Sequence, residues 1–99
     1  MSDPDCLFCK IVAGELPATI VAQDERTVAF MDINPANPGH MLVITRAHAK
    51  DVREIDPEDL AAVAKQGQRL AKHAVDVLDA DGVNLLNSCG ALAWQTVFH

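Results

Sequence analysis

Apolar positions fall along this chain in several short runs and one long stripe, and the period changes from one to the next. Leu7, Phe8, Ile11 and Val12 recur at helical spacing until Gly14 and Pro17 stop the pattern, which predicts a short helix near the N-terminus. The runs Ile20 to Ala22, Val28 to Ile33 and Met41 to Ile44 predict strands. Asp24-Glu25-Arg26 supplies a tight turn between the first two, and an antiparallel meander follows from it. Asn34-Pro35-Ala36-Asn37-Pro38-Gly39 has the chemistry of a compact loop, because each proline fixes φ and the glycine admits unusual backbone angles.

The long stripe starts at Asp56-Pro57-Glu58-Asp59: an N-cap acid, proline at the first helical position, and acids facing the positive end of the dipole. Leu60, Val63, Gly67, Leu70, Ala74 and Val77 then line one face, and Gly82 closes the helical region. A helix of about 22 residues, near 33 Å, is expected. Gly67 in its middle costs roughly 1 kcal/mol relative to alanine, which suggests close approach of another backbone. With Ala64 and Ala71 it could equally meet a partner subunit. Val83 to Asn87 and Thr96 to His99 are expected to return as strands around a loop from Ser88 to Trp94. Five short strands, one short helix and one long helix define an α+β fold.

Ninety-nine residues, 49% hydrophobic with five prolines and five glycines, make one domain over 1–99 and leave no room for a second. No apolar run approaches the roughly 20 residues that span a bilayer, and the N-terminus lacks a secretory signal pattern. A cytoplasmic protein with no membrane partner is expected. The formal charge of −6 and the scattered basic residues argue against nucleic acid, whose binding needs clustered Lys and Arg. A small phosphate ligand stays open, since amides and neutral side chains can hold one.

Cys6 and Cys9 form a CxxC pair, and His48 and His99 could complete a closed Cys2His2 zinc shell joining distant segments. A redox pair and a reduced structural pair are the other readings; the redox one has no βαβ unit to support it. Cys89, alone in a loop, reads as a small buried residue, and His73 as a solvent-facing one. Asp32 ends an apolar strand, where a carboxylate needs hydrogen-bond donors. Ribose hydroxyls would serve; capping its own loop is the alternative.

The order of Phe30-Met31-Asp32-Ile33-Asn34-Pro35, Pro38-Gly39-His40-Met41-Leu42-Val43-Ile44, Asn87 and Gln95-Thr96-Val97-Phe98-His99 resembles the histidine-triad nucleotide-binding family over essentially the whole chain. That resemblance implies an antiparallel half-barrel sheet and a homodimer. It implies a hydrolase or transferase acting at the α-phosphate of purine nucleoside phosphoramidates, acyl-adenylates or dinucleoside polyphosphates through a covalent nucleotidyl-histidine. It assigns Asp32 to the ribose, Phe30 and Ile33 to the base pocket, Asn87, Gln95 and Thr96 to phosphate, and His40 to orienting the triad. Cys6, Cys9, His48 and His99 match the structural zinc ligands of zinc-bearing members. In the family the final run continues as His, apolar, His, apolar, His, with the middle histidine as nucleophile. This chain stops on the first, so the nucleophile and the usual C-terminal end are expected beyond it. Trp94 stands where many members carry glycine. A non-catalytic, zinc-stabilised binding or scaffold module is the competing class.

Overall fold

The computed structural model describes residues 5–31, 40–79 and 81–93, together with 95, 97 and 99. The short helix α1 runs Leu7–Val12 and begins on Cys6, whose sulfur accepts the Cys9 amide at 3.4 Å. Gly14, at φ 78°, turns the chain away where a side chain would be strained.

Three strands follow, β1 (Ile20–Gln23), β2 (Thr27–Met31) and β3 (Met41–Thr45), in an antiparallel sheet of order β1-β2-β3. The expected meander is therefore present; the described part of β2 covers Val28 to Met31 of the expected strand, and Asp32 and Ile33 lie outside the described residues. Asp24 closes the first turn as anticipated. Its carboxylate accepts the Arg26 and Thr27 amides, each at 2.8 Å, and those two donors hold its pKa below the ordinary aspartate value.

Register decides which residues enter the core. Val28 pairs with Ile44, and Phe30 with Leu42, so these side chains share a face. Val28, Phe30 and Ile44 are buried there under Phe8, Ile11 and Val12 of α1. Phe8 meets Phe30 edge to face at 5.6 Å, a geometry worth about 0.5–1.5 kcal/mol beyond burial. Thr27, Ala29 and Thr45, also buried, alternate to the opposite face, where the long helix crosses β2 and β3.

That helix, α2, spans Pro57–Leu78, 22 residues. Asp56 caps it by accepting the Glu58 amide at 2.8 Å. Arg26 ties the β1–β2 turn to this start through Asp59 at 2.6 Å and Glu58 at 3.1 Å. The stripe is buried only in its middle, since Leu60 and Val77 are exposed. The helix ends before Gly82: Asp79 takes the left-handed cap at φ 54°, with its amide on the Ala74 carbonyl. A short polar side chain tolerates that conformation better than most.

Two expectations need correction. What approaches Gly67 is the Leu85 side chain, 3.7 Å from where a Cβ would stand, and not a backbone. Residues Val83 to Asn87 form no strand among the described residues, and neither Val97 nor His99 is in one. A strand exists by virtue of ladder partners, and the described sheet stops at three. Leu85 and Leu86 are 70% and 90% exposed as a result.

Candidate metal centre

The four expected metal ligands meet. Cys6 precedes α1 and Cys9 lies one turn into it, so the i, i+3 spacing turns both sulfurs to one side, and both residues are buried. His48 arrives from the segment after β3, and His99 from far along the chain. Cys6 Sγ lies 3.1 Å from His99 Nδ1, and Cys9 Sγ lies 3.3 Å from His48 Nδ1 and 3.4 Å from His99 Nδ1. One donor atom from each residue falls within 4.8 Å of every other. A tetrahedral cation with bonds of about 2.3 Å to sulfur and about 2.0 Å to nitrogen needs donors roughly 3.3–3.8 Å apart, so the set fits a zinc-sized ion.

The donor chemistry fits as well. His99 Nε2 is 2.7 Å from the Thr45 carbonyl, which can only accept, so Nε2 carries the hydrogen and the neutral ring presents its lone pair at Nδ1. Burial keeps the His99 imidazole below its usual pKa; the Thr45 carbonyl pulls the other way, and neighbouring His48 adds to the lowering. The ring is thus held in the form a metal requires. Phe8 and His48 flank it edge-on, at 5.9 and 5.2 Å between centroids.

Phe30 is a core residue, 4% exposed, directly beneath α1. His40 is exposed immediately before β3, and Asn87 is exposed in the irregular segment after α2. Thr96, Asp32, Ile33 and Trp94 lie outside the described residues. Gln95 is fully engaged: its Oε1 accepts the Gly90 amide at 2.7 Å, while Nε2 donates to the carbonyls of Lys50 at 2.7 Å and Val97 at 3.2 Å. His73 is exposed as expected, whereas Cys89 is only half-buried.

Sequence reasoning missed Asp51 and Arg53. Asp51 is buried, accepting the Arg53 amide at 2.9 Å and the Arg53 guanidinium at 2.7 Å. The donated guanidinium bonds lead in lowering its pKa despite burial. An Asp two residues before an Arg is a common Asx-turn pattern, too weak a signal by itself to be picked out.

A family model described as the HIT domain matches residues 13–99. The chain belongs to the HIT family. Among HIT relatives, an uncharacterized HIT-like protein of Methanocaldococcus jannaschii is 40% identical over 94 residues, covering 95% of this chain and 72% of that one. The adenylylsulfatase HINT3 of Arabidopsis thaliana is 35% identical over 95 residues, covering 96% of this chain and 48% of that one. A Zn-bound histidine triad family protein from Mycobacterium smegmatis superposes with a TM-score of 0.92 at 43% identity, covering 96% of this chain and 69% of that one. The chain therefore spans about half the length of the Arabidopsis relative and about 70% of the other two. At the level of the HIT family, nucleotide hydrolysis or transfer is the associated chemistry, and the α+β fold is the HIT fold.

Proposed function

We propose that this protein is a nucleotide-binding hydrolase or transferase, acting at the α-phosphate of a purine nucleoside phosphoramidate, acyl-adenylate or dinucleoside polyphosphate, around a structural zinc. The observation that carries the reading is the HIT match running through residue 99 together with the identity to a protein named as an adenylylsulfatase. Cys6, Cys9, His48 and His99 would hold the zinc. Four protein ligands close its shell, so its contribution is to cross-link α1, the segment after β3 and the segment bearing His99.

In this reading Asp32 accepts hydrogen bonds from the ribose hydroxyls, and Ile33 lines the base pocket with Phe30 as its buried floor. Asn87, Gln95 and Thr96 serve the phosphate, Gln95 chiefly by shaping the backbone around it because both of its amide hydrogens are already donated. His40 orients the attacking imidazole. His99 cannot attack, since its Nδ1 faces the cysteines and its Nε2 hydrogen is given to Thr45. The nucleophile is read as the histidine two positions further along the family's triad, outside these 99 residues. Its nitrogen bonds to the α-phosphorus as the bond to the leaving group breaks, and the leaving group takes the electron pair and a proton. Water then cleaves the nitrogen–phosphorus bond and frees the nucleotide. A cytoplasmic homodimer, formed through α2 and the segment entering His99, completes the proposal.

The test uses two proteins of verified mass: the 99-residue chain, and the same chain extended by the family's remaining His-apolar-His run. The extended protein should release amine from an adenosine phosphoramidate and yield a nucleotidyl adduct on acid quench, while the 99-residue form binds adenosine monophosphate without turnover. Turnover by the 99-residue form that His40→Ala abolishes would move the nucleophile to His40 and overturn the assignment.

A further inference from the structure

Two segments that share no ladder bonds among the described residues lie alongside each other in antiparallel sense. Going up the first, the fastenings fall at Thr45, His48, Lys50 and Arg53; going down the second they fall at His99, Gln95 and Cys89. His99 Nε2 donates to the Thr45 carbonyl at 2.7 Å, and His48 and His99 converge on Cys9 Sγ at 3.3 and 3.4 Å. Gln95 Nε2 donates to the Lys50 carbonyl at 2.7 Å. The Arg53 guanidinium, anchored on buried Asp51, sits beside the Cys89 side chain.

Of these fastenings Gln95 reaches furthest. Its amide spends every hydrogen it has, across to Lys50 and along to Val97, and its oxygen takes the Gly90 amide. The Gln95 backbone amide itself returns to the Gly90 carbonyl at 3.1 Å, next to the 3-10 turn Ala91–Ala93. One side chain thereby closes the 90–95 loop on itself and pins it to the segment that carries His48.

We propose that Gln95 is a positioning residue for the metal centre, the rung of a side-chain lacing that makes the 88–95 loop and the four-ligand site form and loosen together. Metal binding orders the loop that the nucleotide reading places next to phosphate, and the loop in turn holds His99 at its ligating distance. The inference rests on the zinc reading above and not on nucleotide chemistry.

Zinc affinity of the 99-residue protein, measured by competition with a chromophoric chelator, tests one direction. Gln95→Ala and Gln95→Glu should each raise the zinc dissociation constant about tenfold, the lower end of what lost outer-shell partners cost, because neither can donate to the Lys50 carbonyl. Hydrogen exchange tests the other direction without any substitution. Chelating zinc from the unaltered protein should speed exchange at Ser88 to Ala93 while leaving Val28 to Phe30 protected. Unchanged zinc affinity in Gln95→Ala with weakened adenosine monophosphate binding would make Gln95 a direct ligand contact and overturn the proposal. Unchanged exchange on chelation would overturn it as well. A protein that takes up no zinc at all would sink both this inference and the zinc reading, whereas zinc held equally tightly by the variants sinks this one alone.

Discussion

The strand β2 and the segment from Asp81 to His99 are organised by different forces. In β2, Thr27 to Phe30 are all buried, all paired through backbone to β3 and, from Val28 to Phe30, to β1 as well, with a helix on each face of the sheet. The later segment leaves Leu85, Leu86 and Leu92 largely in solvent and is fastened by Gln95, His99 and the sulfur cluster. The first is held by apolar burial and a hydrogen-bond ladder; the second by a few polar contacts and by a four-residue cluster able to hold a metal ion. Stability in this chain should therefore divide into a part that ignores metal and a part that follows it.

The sharpest way to break that division is in the core. Phe30→Ala removes a ring packed under Phe8, and a loss of about 3–5 kcal/mol is expected, measured by urea unfolding. The loss should be the same with zinc or with chelator. If it vanished in chelator, the core would itself depend on the metal and the comparison would collapse.

Metal removal comes next in size. With free zinc at about 100 times its dissociation constant, linkage contributes about 2.7 kcal/mol to stability, and chelation should remove that amount from the unaltered protein. In Cys9→Ser the zinc-dependent increment should disappear. A Cys9→Ser protein that still gained stability from zinc would show that the ion binds elsewhere.

The smallest effect sharpens the contrast. Leu86 is 90% exposed, so Leu86→Ser should change the stability of the monomeric 99-residue chain by no more than about 0.5 kcal/mol. A larger loss, growing with protein concentration in sedimentation or light scattering, would mean that a second copy covers this side chain. That outcome would support the homodimer.

The same contrast explains what could be read from sequence. Local signals wrote the regular half: Asp56-Pro57 announced α2, Gly14 and Pro17 ended α1, and Asp24 marked the turn between β1 and β2, each through a bond made within a few residues. The ligand set was legible too, because CxxC spacing on a helix leaves its sulfurs little choice of direction and the family resemblance nominated the two histidines. The length of α2 came out as expected, at 22 residues, but its cap falls on Asp79 ahead of Gly82, because Asp79, unlike glycine, does not advertise a left-handed cap. Val83 to Asn87 is apolar enough for a strand, but composition states only what a segment could pair with. Asp51 and Arg53 bond across only two residues, a pattern too common to stand out, whereas the Arg53–Cys89 and Lys50–Gln95 contacts escaped notice because their partners are tens of residues apart, and a backbone carbonyl leaves no trace in a residue pattern.

The contact between Cys6 and His99 joins residues 93 positions apart. Thermodynamically that distance matters little, since closure entropy grows only with the logarithm of loop length. In time it matters more. At roughly 5–20 residues per second, a ribosome needs on the order of ten seconds to reach His99 after it has made Cys9. For that interval both thiols belong to a nascent chain whose last ligand does not yet exist. On the zinc reading, the CxxC pair must stay reduced and free of competing metals for as long as synthesis takes.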